Sequence, residues 1–191
     1  KFIANVLSNP LVNEAVQTLL SNDGLILGIC NGFQALIKSG LLPYGNIEEL
    51  SEASPTLFRN NINRHVSHIA TTKVTSNKSP WLSSFTPNDC HSIAMSHGEG
   101  KFVVSEEVAK ELFENGQVAT QYVDLEGNPT MDGTYNINGS YYAIEGITSK
   151  DGRILGKMGH SERYEDGLFK NIDGNKLQNI FENGVNYFKN K

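Results

Sequence analysis

The chain has 191 residues, enough for one compact domain with its own hydrophobic core. Its formal net charge is −5 and it has no basic run, so neither nucleic acid nor a membrane surface is an expected partner. Two cysteines make no disulfide framework, no apolar run could span a bilayer and no secretory signal opens the chain, so the cytoplasm is the expected compartment.

Helical and strand patterns alternate along the chain. Helices are predicted over residues 13–20, from 31 to about 40, over 105–114 and over 176–188. Strands are predicted over residues 25–29, 64–75, 102–104, 118–123, 141–147 and 153–158, with a turn at 149–152 joining the last two. This alternation predicts an α/β fold around a central sheet, with some antiparallel character from the last pair of strands.

The segment 24–36 has the pattern of a nucleophile elbow. An apolar strand leads to Cys30, which precedes an amphipathic helix, and Gly28 and Gly32 would let neighbouring backbone approach closely. The helix N-terminus would lower the pKa of the thiol, and free N–H groups beginning with Asn31 would hold an oxyanion. A buried, unreactive cysteine explains the same residues equally well.

Two histidines are candidate bases for such a cysteine. His160 directly follows an apolar strand, and Glu162 is close enough to orient its imidazole, although an exposed polar turn is the simpler explanation of this spacing. His97 stands in a glycine-flanked segment with Glu99, where a plain turn or a nearby small ligand is also possible. Cys90 lacks the elbow setting, and no Cys/His spacing resembles a structural zinc site.

Three motifs occur together in one order: Gly28-Ile29-Cys30-Asn31-Gly32-Phe33-Gln34, Ser96-His97-Gly98-Glu99-Gly100-Lys101-Phe102 and Gly159-His160-Ser161-Glu162-Arg163. In that combination the chain resembles, over nearly its whole length, the class I (triad) glutamine amidotransferase domain of phosphoribosylformylglycinamidine synthase, from purine biosynthesis. Residues 171–188 resemble the C-terminus of the long, single-chain form of that enzyme.

The resemblance implies a three-layer, flavodoxin-like fold with a central, mostly parallel sheet. It also implies a single glutaminase domain over residues 1–191, of which the family's N-terminal βαβ portion is not visible. That portion includes a glycine-rich loop that supplies a second oxyanion N–H. Because the loss of one such donor costs on the order of a hundredfold in rate, the chain alone is expected to be a slow glutaminase.

The same resemblance implies the role of each site residue. Cys30 would attack the side-chain amide of glutamine, His160 would act as base and then as acid, and Glu162 would orient the histidine. Gln34, Ser96 and His97 match the region that holds glutamine, and Asn31 would supply the oxyanion N–H. No metal and no cofactor are expected in this domain.

Ammonia would pass to a synthase domain of the same longer polypeptide, where ATP and Mg²⁺ belong. There it would convert formylglycinamide ribonucleotide to formylglycinamidine ribonucleotide. Ser161 stands where the family usually has proline, so a less rigid turn is expected. Two other interpretations stay open. The chain could be a different cysteine hydrolase, such as a peptidase, on a similar α/β fold, or a non-catalytic interaction domain.

Overall fold

The computed structural model describes residues 2–189. The helices are α1 (Phe2–Leu7), α2 (Pro10–Ser21), α3 (Asn31–Lys38), α4 (Leu41–Tyr44), α5 (Glu106–Glu114) and α6 (Ile180–Lys189). The strands are β1 (Ile26–Ile29), β2 (Thr56–Arg59), β3 (Val66–Val74), β4 (Cys90–His97), β5 (Glu99–Val103), β6 (Val118–Tyr122), β7 (Ile144–Thr148) and β8 (Ile154–Lys157). Across residues 2–189, no helix is long and apolar enough to cross a membrane.

Six strands form the main sheet in the order β1-β8-β7-β6-β3-β4, and β2 pairs with β5 in a small second sheet. Strands β1 and β8 are parallel, whereas the other neighbours in the main sheet are antiparallel. The turn after β7 is too short for the crossover that parallel pairing requires. The α/β class and the antiparallel β7–β8 pair are confirmed, but within residues 2–189 parallel pairing is confined to β1 and β8 rather than predominant.

Helices cover both faces of the main sheet, which gives three layers. Along β8, Ile154 packs into a core that includes Phe33 of α3 and Leu112 of α5. The next residue, Leu155, points to the opposite face, where Ile180 of α6 completes a second core. Successive strand residues face opposite sides of a sheet, so one buried strand contributes to both cores.

The largest difference from the predicted elements concerns the segment that ends at His97, where no strand is predicted. The strand β4 runs to His97, and after Gly98 the chain enters β5, which pairs with β2 instead of β4. The polar residues of β4 do not alternate with apolar ones, so the segment lacks the period-2 pattern of a strand. The prediction also missed α1 and β2, and α6 begins at Ile180 rather than 176.

Candidate active site

Cys30 occupies the sharp turn between β1 and α3. Its φ of 53° and ψ of −103° lie in a region of backbone conformation that residues other than glycine rarely adopt. Such a conformation costs roughly 1–3 kcal/mol. The Cys30 N–H donates to the carbonyl oxygen of Lys157 at 2.9 Å, and the Cys30 carbonyl accepts the Gln34 N–H at 3.0 Å. Hydrogen bonds to β8 and to α3 therefore hold the strained strand-to-helix turn at the position that the elbow pattern predicted.

The glycines near this turn have different roles. A Cβ on Gly28 would lie 2.7 Å from the backbone carbonyl carbon of Gly32, so only glycine lets α3 pack this closely on β1. A Cβ on Gly32 would meet nothing within 4 Å, so the close approach expected there is absent. A Cβ on Gly100 would lie 2.6 Å from Nδ1 of His97. The group that the backbone approaches closely at Gly100 is therefore the imidazole of His97.

The Cys30 thiol is partly buried and donates to the carbonyl oxygen of Ser96 at 3.6 Å. Burial raises the pKa of this thiol above its usual value, although the Asn31 N–H and the Arg163 charge act to lower it. The Asn31 N–H at the start of α3 acts on the pKa of Cys30 in the expected direction, but desolvation is the larger effect and the net pKa is raised. A thiol with a raised pKa needs a base to become a nucleophile.

His160 is buried and oriented by Glu162. The ring nitrogen Nδ1 lies 2.6 Å from the Glu162 carboxylate. The backbone N–H of His160 donates to the carbonyl oxygen of Ala94 at 2.9 Å. Among residues 2–189, the buried Nε2 of His160 has no hydrogen-bond partner. When neutral His160 donates from Nδ1 to the carboxylate, its Nε2 is left as an acceptor, which is the arrangement a general base requires.

Cys30 and His160 meet the same edge strand. The parallel register pairs Ile29 with Lys157 at the carboxyl ends of the adjacent strands β1 and β8. Cys30 and His160 follow these two strand ends. The Cys30 thiol binds the carbonyl of Ser96, and the His160 N–H binds that of Ala94, two residues away on β4 and therefore about 7 Å along the strand. The fold thus brings together two segments that are far apart in sequence.

The predicted glutamine-binding residues lie at, or bind to, the junction of β4 and β5. Gln34 donates from Nε2 to the Glu99 carbonyl at 2.6 Å, and the Ser96 hydroxyl lies 3.1 Å from Nε2 of His65. The side chain of Glu99 is not the partner of His97 that the alternative interpretation required. Asn60 takes that place, with its Oδ1 3.2 Å from Nδ1 of His97.

His97 is held as a neutral imidazole. Only 3% of its surface is exposed, and burial lowers its pKa to about 4, with nearby His65 and His160 acting in the same direction. Its Nε2 is buried without a hydrogen-bond partner among the described residues. His97 is therefore a candidate ligand-binding group, because it presents a neutral imidazole whose Nε2 is unpartnered among residues 2–189.

Two buried charged residues beside the site were not predicted. Glu145 of β7 accepts the Gly159 N–H at 2.5 Å and the Thr120 hydroxyl, and Lys157 of β8 donates to Ser161 at 3.0 Å. A single charged residue inside an apolar strand was the available signal, since such groups are rarely buried without partners. The Ser161 hydroxyl is itself buried and bonded, so hydrogen bonds hold the turn for which a less rigid backbone was expected.

No group of three or more His, Cys, Asp or Glu side chains within residues 2–189 could hold a metal ion.

Residues 1–188 match the family of CobB/CobQ-like glutamine amidotransferase domains, and the chain belongs to that family. The phosphoribosylformylglycinamidine synthase subunit PurQ of Gloeobacter violaceus is 36% identical over 166 residues, which are 87% of this chain and 66% of that protein. The corresponding subunit of Chlorobaculum tepidum is 37% identical over 169 residues, 88% of this chain and 66% of that protein. The chain therefore spans just under two thirds of the length of these relatives.

A solved structure described as PurLQS from Thermotoga maritima aligns with 96% of this chain and 71% of its own chain, with a TM-score of 0.68. At 24% sequence identity, this likeness shows a shared fold. The class I glutamine amidotransferase fold expected from the sequence is thereby confirmed.

Proposed function

We propose that this chain hydrolyses glutamine and delivers the ammonia to phosphoribosylformylglycinamidine synthesis. The observation that carries the proposal is that Cys30, on a strained elbow, and His160, paired with Glu162, each bind a carbonyl of β4. Nε2 of His160 has no hydrogen-bond partner among residues 2–189. Family membership and the names of the relatives support the same activity.

The proposed reaction runs through a thioester on Cys30. The sulfur attacks the side-chain amide carbon of glutamine as Nε2 of His160 accepts the thiol proton. The tetrahedral intermediate collapses as His160 returns that proton to the leaving nitrogen, which departs as ammonia. A water molecule, deprotonated by His160, then attacks the thioester carbon, and glutamate leaves as the sulfur regains its proton.

The surrounding residues are proposed to bind and orient the substrate. The Asn31 N–H, which already interacts favourably with a Cys30 thiolate, would donate to the oxyanion of the tetrahedral intermediate. Gln34, Ser96 and His97 would hold the bound glutamine. Glu162 would keep His160 in one tautomer and stabilise its protonated form.

The ammonia is proposed to pass to an ATP- and Mg²⁺-dependent synthase that makes formylglycinamidine ribonucleotide. The resemblance of residues 171–188 to the end of the long, single-chain enzyme favours a synthase in the same polypeptide. The mass of the native polypeptide that carries this sequence tests this point. A polypeptide too small to include a synthase would contradict it and favour a separate partner subunit.

The replacement of Cys30 by alanine, in the full-length protein with its synthase, tests the proposed activity. Synthesis driven by glutamine should be lost, because the nucleophile is gone, whereas synthesis driven by added ammonia should continue. Cys90→Ala is the matched control, since it removes the other thiol and should leave both activities intact.

Each alternative predicts a different result in the same assays. An interaction domain predicts that Cys30→Ala changes neither activity. A peptidase-like hydrolase predicts cleavage of a peptide substrate, while the proposal predicts covalent trapping of Cys30 by a glutamine analogue without peptide cleavage.

A further inference from the structure

Lys157 contacts both halves of the candidate site. Its carbonyl oxygen accepts the N–H of Cys30 at 2.9 Å, so its backbone supports the nucleophile turn. Its Nζ donates to the hydroxyl of Ser161 at 3.0 Å, and Ser161 lies between His160 and Glu162. One residue at the end of β8 thus touches the elbow through its backbone and the histidine turn through its side chain.

The Lys157 amine belongs to a closed, buried set of hydrogen bonds. Nζ also donates to Oε1 of Gln178 at 2.7 Å, and the Ser161 hydroxyl donates to the same oxygen at 2.7 Å. Lys157 is only 1% exposed, and Ser161 and Gln178 are buried as well. Each member would leave a partner unsatisfied if it moved, and an unsatisfied buried polar group costs about 1–3 kcal/mol.

The turn that carries Glu162 depends on such side-chain contacts. Its backbone makes a 3.2 Å hydrogen bond from the Arg163 N–H to the His160 carbonyl, and the segment is one short 3₁₀ turn over Ser161–Arg163. On the other side of His160, the Glu145 carboxylate holds the N–H of Gly159. Side chains therefore fix both chain neighbours of His160. Glu145 binds Gly159 before it, and Lys157 binds Ser161 after it.

We propose that Lys157 is a positioning residue for glutamine hydrolysis, which holds the His160–Glu162 pair in register with Cys30 through Ser161 and Gln178. The inference rests on the proposed function. A displacement of about 1 Å in a reacting group can cost on the order of a hundredfold in rate, so a buried anchor of this kind acts on the chemical step rather than on glutamine affinity.

Lys157 can make these hydrogen bonds in either protonation state. Burial lowers the pKa of its ammonium, while the charges of Glu145 and Glu162 act to raise it. Both the ammonium and the neutral amine carry N–H donors, so either form makes the bonds to Ser161 and Gln178.

The test uses the full-length protein with its synthase and the variants Lys157→Met, Ser161→Ala and the double variant. For Lys157→Met, kcat of glutamine-dependent synthesis, expressed per folded protein from urea unfolding curves, should fall about tenfold to a hundredfold. KM for glutamine should stay within about twofold, and ammonia-dependent synthesis should be unchanged. Lys150→Met is the matched control, because this lysine lies in the turn between β7 and β8 with its side chain 63% exposed.

Ser161→Ala is a milder variant that removes only the shared hydroxyl. Its kcat should fall in the same direction by a smaller factor, and the double variant should be no slower than Lys157→Met, because both changes break one network. Independent, multiplicative losses would overturn the coupling. A kcat per folded Lys157→Met protein within about twofold of wild type, or a rise in KM alone, would overturn the positioning role.

Cys30→Ala, measured in parallel, separates the two proposals. If it abolishes glutamine-dependent synthesis while Lys157→Met is fully active, only the positioning role fails. If Cys30→Ala retains that synthesis, the proposed function fails and the positioning role fails with it.

Discussion

The thiol of Cys30 lies where its ionisation is disfavoured, and this has a measurable consequence. Burial raises its pKa, and its proton is donated to the carbonyl of Ser96, so little thiolate is present near neutral pH. Without glutamine, alkylation of Cys30 by iodoacetamide should be slow at about pH 7 and should accelerate up to and beyond the usual thiol pKa of about 8.5.

The rate is measured by mass spectrometry in a Cys90→Ser background, so that Cys30 is the remaining thiol. Arg163→Ala should move the alkylation profile to higher pH, because the Arg163 charge acts to lower the pKa of Cys30. A fast, pH-independent reaction at neutral pH would mean that the thiolate is already formed and would contradict the dominance of desolvation.

At this scale, the sequence indicated the reacting groups better than their supports. The residues around Cys30 left catalysis and burial equally open, and the accompanying motifs with His160 and Glu162 favoured catalysis by resemblance. Lys157, Glu145 and Asn60 were not found, because their support role depends on burial that only the fold creates. For Asn60, the partner His97 also lies 37 residues away in the sequence. The raised pKa of Cys30 also required the fold, since burial cannot be read from a helix N-terminus.

The junction of β1 and α3 gives a prediction about two glycines. Gly28→Ala would place its Cβ 2.5 Å from Cδ1 of Leu36 and 2.7 Å from the backbone of Gly32, so α3 must shift. Forcing extra volume into packed structure costs roughly 1–3 kcal/mol, and we expect a loss of stability of that size in urea unfolding.

Gly32→Ala is the matched control for this change. Nothing lies within 4 Å of its added Cβ, and glycine inside a helix costs about 1 kcal/mol relative to alanine, so stability should hold or rise. Equal losses for the two variants would show that helix propensity or the unfolded chain, rather than the close approach of α3 to β1, decides the effect.

Element patterns were readable where local signals agreed. The helix predicted over residues 105–114 forms as α5 (Glu106–Glu114), with Ser105 accepting the Val108 N–H and two glutamates in the first turn. The polar β4 was missed because its burial comes from long-range contacts rather than from its own residues. The start of α2 was placed late, although Asn9 as N-cap and Pro10 in the first turn are standard start signals.

In the whole molecule, chain topology rather than proximity in sequence builds the site. The parallel pair β1–β8 places Cys30 and His160 at one sheet edge, and β4 supplies a carbonyl to each of them. The alternation of helices and strands predicted the layers, but strand order depends on pairings that no local pattern encodes. This arrangement also buries titratable groups, and it links the stability of the entire domain to pH.

His91 and His97 are the buried histidines of β4 that carry this linkage. They are 2% and 3% exposed, and burial lowers the pKa of each to about 4, whereas an unfolded histidine titrates near 6.5. Between these pH values the unfolded chain binds more protons than the folded chain. The contribution of the two neutral histidines to the free energy of unfolding is therefore fully present above about pH 6.5 and is lost as the pH falls towards 4. Each histidine contributes a slope of up to about 1.4 kcal/mol per pH unit.

The loss of stability on acidification should therefore be smaller when one of these groups cannot titrate. We expect His91→Gln to lose about 1–2 kcal/mol less than wild type between about pH 7 and pH 5, measured by urea unfolding. Ile93→Val, a buried change on the same strand that does not titrate, should lower stability at both pH values and keep the wild-type slope. An unchanged slope in His91→Gln would mean that His91 binds its proton equally well in the folded and unfolded states, against the desolvation that its burial in β4 imposes.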